Sequence, residues 1–162
     1  MIYSSFFWLV LAHLILFLIS GCTSNQEPEK IEFGKDTCHH CKMLLMDRRF
    51  GAELVTKTGK IFKFDTLECM RDFFKGSKNQ LPMPIKFFVL SSNFEKDSTD
   101  FPQLLDVEKA QYVIDESIRS PMGVGIFAAE NKSKMAIQLH KSESAIKLQA
   151  WSDVKAQLKW QE

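Results

Sequence analysis

Six consecutive residues, Cys38-His39-His40-Cys41-Lys42-Met43, bring two thiols, two imidazoles and a thioether into one short stretch. Soft sulfur donors select Cu(I) or zinc over hard cations. Structural zinc sites are normally closed by four Cys or His ligands, and a thioether adds little to them. A Cys-x-x-Cys-x-Met run therefore reads first as a Cu(I) site, with Cys38, Cys41 and Met43 as its ligands. Cys38 and Cys41, at i and i+3, can point to one side of a tight turn, and an extended chain can return Met43 to that side. His39 and His40 are each as readily turn residues as ligands. Two other chemistries stay open: a zinc knuckle completed by His39 or His40, and a Cys38–Cys41 disulfide.

Other sulfur-bearing positions carry weaker signals. Cys69 and Met70 open an expected helix, where both residue types ordinarily pack in a core. Cys69 could instead turn toward the motif loop. Ser120-Pro121-Met122-Gly123 holds a methionine between proline and glycine, away from any helical core spacing. Taken alone, Met122 reads as a flexible gap-filler. Met46, Met83 and Met135 follow no pattern, and His140, in a lysine-rich stretch, reads as surface. There is no Ser/His/Asp set, phosphate-binding glycine loop or convincing carboxylate pair, so the chain reads as a binding protein and not an enzyme. The enzymatic alternative is thiol–disulfide exchange through Cys38-x-x-Cys41. It lacks the preceding strand and the helix N-terminus that lower the thiol pKa in such proteins.

The compartment follows from the first residues. Phe6 to Ala12 and Leu14 to Ile19 form an apolar stretch broken only by His13, and it ends in Ile19-Ser20-Gly21-Cys22. This is an export signal over residues 1–21, closed by a bacterial lipobox that makes Cys22 the lipid attachment point. An uncleaved transmembrane anchor is the alternative. Residues 22–31, including Thr23-Ser24-Asn25-Gln26-Glu27-Pro28, read as a polar tether. Thr23, not Asp, after the lipidated cysteine favours the outer membrane over the inner one. Every charged side chain lies beyond Cys22, so the formal net charge of +1 belongs to the mature protein and points to no nucleic-acid partner. With Cys22 acylated, Cys38, Cys41 and Cys69 remain, an odd number that argues against a purely structural disulfide framework.

Around the motif the chain predicts an α+β fold over 32–162. Phe50 to Lys57 and Lys60 to Phe64 flank Thr58-Gly59 as a hairpin. Asp65 or Thr66 can cap a helix that buries Leu67, Met70, Phe73 and Phe74 and stops before Gly76. Ile85 to Leu90 is a strand, and Asn93 to Asp106 a polar loop. A helical turn at Val107–Ala110, strands at Gln111–Asp115, Met122–Ala129 and Ala145–Gln149, and helices at Lys132–His140 and Trp151–Trp160 (capped by Asn131 and Ser152) complete the reading. Strand–helix–strand recurs twice, which suggests two similar halves, about 32–92 and 105–162, packed together.

Several segments together resemble the NosL family, the lipoprotein accessory proteins of nitrous oxide reductase. They are the lipobox at Cys22, the Cys38-x-x-Cys41-x-Met43 motif, Gly59-Lys60-Ile61-Phe62-Lys63-Phe64-Asp65 with Cys69-Met70 after it, Ala110 to Asp115, and Ser120 to Gly125. The resemblance implies a monomeric periplasmic Cu(I) chaperone that supplies nitrous oxide reductase or its ABC-transporter maturation complex. It implies a fold similar to organomercurial lyase with paired α+β units, and it raises Met122 to a ligand or site-lining residue. His39-His40 departs from the more usual Pro/Gly-type interior of the motif and could add an imidazole ligand. The signal's lack of Lys or Arg before the apolar run is a second departure.

Overall fold

The structure, a computed structural model, describes residues 25–91 and 103–160. The expected export signal, the expected lipobox with Cys22, and residues 93–102 of the expected loop lie outside the described residues. The turn signal at Thr58-Gly59 is met by a hairpin in which β1 (Ala52–Thr56) runs antiparallel to β2 (Ile61–Phe64), Ala52 opposite Phe64 and Val55 opposite Ile61. The chain then turns into α1 (Leu67–Ser77), followed by a 3-10 turn at Lys78–Gln80. Strand β3 (Ile85–Leu90) returns beside β1, Thr56 opposite Ile85, and β4 (Leu104–Asp106) pairs with β3. The sheet order is β2-β1-β3-β4, so β2 is an edge strand.

The second unit is a two-stranded sheet, β5 (Gln111–Ile114) against β6 (Ile126–Ala129), followed by α2 (Lys132–Leu139), a 3-10 turn at Glu143–Ala145, and α3 (Trp151–Leu158). Alternation in β5 and β6 divides its faces. Tyr112, Ile126 and Ala128 join the main core with Trp151. Val113, Phe127 and Ala129 form a second core with Met135, Ala136 and Ile146. Trp160 ties the units together, its ring 5.1 Å from Trp151, 5.3 Å from Phe87 and 6.2 Å from Phe74.

The α+β class holds, and several local expectations are corrected. The first helix passes through Gly76 and ends at Ser77, because the Lys78 amide still bonds to Phe74 O; one glycine costs a helix only about 1 kcal/mol. Leu104–Asp106, expected as loop, is a strand because β3 offers it a free edge. Met122 to Gly125 is a turn, and the strand starts at Ile126. Gly125 sits at φ +67, and a Cβ there would fall 2.2 Å from Asp115 O. The expected strand at Ala145–Gln149 shrinks to a bridge between Gln149 and Tyr112. The last helix is capped at Ala150, whose amide donates to the Asp153 carboxylate at 2.9 Å; Ser152 lies inside the first turn. From Gln26 onward the expected tether is laid on the sheet: Gln26 Nε2 donates to Pro84 O at 3.0 Å, and Glu29 N–H donates to the Glu53 carboxylate at 2.9 Å.

Candidate metal centre

The motif forms a tight hairpin of its own. Cys38 N–H bonds to Met43 O at 2.8 Å, Lys42 N–H to Cys38 O at 3.0 Å, and Thr37 bridges Leu44. Lys42 takes φ 67, the left-handed conformation that closes the turn. The hairpin is docked along the free edge of β2. His39 N–H donates to Lys63 O at 2.8 Å, and Lys63 N–H donates back to His39 Nδ1 at 3.1 Å. The Lys63 ammonium reaches Asp36 at 2.8 Å and Lys30 O at 2.9 Å. Below the imidazole lie Phe62, Phe64 and Phe73, with ring centroids 5.2, 6.2 and 6.5 Å away.

The same edge strand delivers the third thiol. After β2 the chain turns at Asp65-Thr66, and Thr66 Oγ1 caps α1 by accepting the Cys69 N–H at 3.3 Å. Cys69 is thereby held in the first helical turn, beside the docked hairpin. The sulfurs of Cys38, Cys41 and Cys69 lie within 4.8 Å of one another. All three are free thiols; Cys38 and Cys69 are buried, and Cys41 is partly exposed.

Burial and hydrogen bonding divide the protons unequally. A hydrogen bond from Cys69 draws the Cys38 pKa down to about 4, against the opposing effect of burial, and the backbone amides of Asp65, Cys41 and His40 add to it. Cys69 is pushed far up, chiefly by that hydrogen bond to Cys38 and then by burial. Burial, assisted by the negative charge at Cys38, also raises Cys41. Of the three, Cys38 is thus the thiol that gives up its proton most readily. Asp65, buried and beside the Cys38 anion, is pushed up to about 6. A soft cation entering this group would displace protons from Cys41 and Cys69, so its affinity rises with pH.

The remaining expected residues are placed as follows. Met43 is half exposed at the end of the hairpin, and Met122 is also exposed, in the turn where Ser120 Oγ accepts the amides of Gly123 and Gly125 at 3.0 and 3.2 Å. His40 is exposed and faces Asp72, whose pKa it helps lower. His39 has Nδ1 committed to β2, which leaves Nε2 as its outward nitrogen. Met70 and Met135 are core; Met46 and Met83 are exposed. Cys69, weakly signalled by sequence, is the residue that the fold adds to the motif. Its one local clue was Thr66 three positions earlier, which fixes it in a helical first turn.

A family model for NosL matches residues 30–158. Among solved structures, the chain resembles the copper chaperone NosL from Shewanella denitrificans, with TM-score 0.56 and 20% identity over 80% of this chain and 96% of that one. At that identity the likeness speaks for the fold. No curated protein matches the chain. With most of its length matched by the family model, including the thiol hairpin, the β2–α1 corner and the Ser120–Gly125 turn, the chain belongs to the NosL family.

Proposed function

We propose that this protein is a Cu(I) carrier of the bacterial cell envelope, anchored by lipid at Cys22, that supplies copper for the maturation of nitrous oxide reductase. The observation that carries the reading is the group of three free cysteine sulfurs within 4.8 Å of one another. Cu(I) is held well by two or three soft ligands, whereas zinc requires a fourth. Cys38 and Cys41 bind the ion, Cys69 stands ready beside them, and Met43 and Met122 supply thioethers from the exposed side. The role is non-enzymatic: copper enters and leaves by ligand exchange, and partly exposed Cys41 is the thiol that an acceptor reaches first. The resemblance to a copper chaperone supports this reading.

The test is an anaerobic Cu(I) titration against a chromophoric competitor, with X-ray absorption on the loaded protein. Uptake of one Cu(I) with a sulfur-only first shell is expected. Cys38→Ala and Cys41→Ala abolish high-affinity uptake, and Met43→Ala or Met122→Ala weakens it by about tenfold or more, the equivalent of ~1.4 kcal/mol. Absence of uptake under reducing conditions, or unchanged affinity in the cysteine variants, overturns the reading.

A further inference from the structure

We infer that the end of the molecule built from the β1–β2 turn, the loop at Pro82–Pro84 and the start of β3 lies against a phospholipid surface, with the thiol group turned away from it. The inference rests on the lipid anchoring at Cys22 proposed above and adds the face that meets the lipid.

The direction of the N-terminal segment carries the argument. Gln26 Nε2 bonds to Pro84 O at 3.0 Å and Val55 O at 3.5 Å, the Glu29 amide to Glu53 at 2.9 Å, and Lys30 O accepts from Lys63 at 2.9 Å. The segment therefore enters at the Val55/Pro84 end of the sheet and runs toward the Lys63 end. Only Thr23, Ser24 and Asn25 separate Cys22 from the first docked side chain. Four residue steps span at most about 14 Å, and the headgroup layer of one leaflet is itself roughly 5–8 Å deep. So short a tether holds the entry end of the sheet at the interface.

The composition of that end fits the partner. Lys57, Lys60 and Lys86 are exposed there, and Lys57 N–H bonds to Pro82 O at 3.2 Å, which joins the turn to the loop. Lys60 also lies over the Phe62 ring at 4.8 Å. Met83 projects between these lysines' elements, 55% exposed. Glu27 and Glu29 are the exposed carboxylates on the incoming segment, and the three lysines outnumber them. Clustered lysines with an apolar tip suit an anionic phospholipid surface. The thiols lie at the opposite end. β2 runs away from the turn for four residues, roughly 13 Å at the usual strand rise, before reaching Lys63, which holds His39, and the corner that positions Cys69. Copper would thus be presented to a water-soluble acceptor and not to the bilayer.

The experiment uses the full-length lipidated protein in vesicles of phosphatidylethanolamine and phosphatidylglycerol. The photoreactive residue p-benzoylphenylalanine replaces Thr58, Met83 or His40, one at a time. Lipid adducts are expected at positions 58 and 83 and absent at 40. The yield at 83 falls when phosphatidylglycerol is left out. Equal adducts at all three positions, or adducts at 40 alone, overturn the orientation, and a yield indifferent to phosphatidylglycerol overturns the part assigned to the lysines. Mass spectrometry of the same samples reads the acyl group on Cys22. Its absence overturns the anchoring itself, a failure distinct from a lipidated protein with the wrong face labelled.

Discussion

At the scale of single residues, His39 is the instructive case. Its place inside a Cys-x-x-Cys motif invites a ligand reading, yet its Nδ1 accepts the Lys63 amide at 3.1 Å and its ring rests on Phe62 and Phe64. The imidazole works as a clip that fastens the thiol hairpin to the edge of β2. His39→Ala removes one hydrogen bond and one aromatic contact, together worth about 1–2 kcal/mol. The metal-free protein is expected to lose stability by that amount in urea denaturation. A residue serving only as a copper ligand would leave the metal-free midpoint unchanged.

At the scale of elements, the β2–α1 corner decides the site. Phe62 and Phe64 bury one face of β2 against Phe73 of α1, with ring centroids 4.8 and 5.2 Å apart. That packing fixes where the helix starts, and the start fixes Cys69. The cap is the weak point, because Thr66 Oγ1 satisfies the amide of Cys69 itself. Thr66→Ala is expected to destabilise the protein by about 1 kcal/mol, the usual worth of an N-cap. It also leaves the first turn free to fray, so Cu(I) affinity falls in the competitor titration, whereas Thr66→Ser retains both. Full affinity in Thr66→Ala would remove Cys69 from any part in binding.

At the scale of the whole molecule, the sheet has one side packed on α1 and the other covered by its own N-terminal segment, and this second cover buries a carboxyl group. Glu53 is fully buried on β1, bonded to the Glu29 amide, and burial pushes its pKa up to about 7 from an ordinary 4.5. The folded protein therefore binds this proton more tightly than the unfolded chain does. Stability falls as pH rises from about 4.5 through 7 and is level above that, by up to roughly 3 kcal/mol for this group alone. Cys38, with its lowered pKa, acts with the opposite sign, so the measurement is a difference between variants. Glu53→Gln is expected to gain stability over wild type at pH 8 but not at pH 4, read from denaturant midpoints; a gain that does not depend on pH would contradict this. Much of the molecule was legible before folding. Alternating β-formers around Thr58-Gly59, a threonine ahead of an apolar helix, and an asparagine ahead of α2 act through neighbours a few residues away, and the structure keeps each of them. The short strand at Leu104–Asp106 and the failed one at Ala145–Gln149 were not legible, because strand formation depends on which edge happens to be free. The same division runs through the candidate site. The Cys38–Met43 motif, its soft-metal character and its family are determined by sequence, since ligand chemistry and spacing are local properties. That Cys69 joins the two motif thiols while His39 turns to grip β2 was decided by tertiary structure alone, because both depend on β2 bringing the hairpin and the first turn of α1 to the same edge.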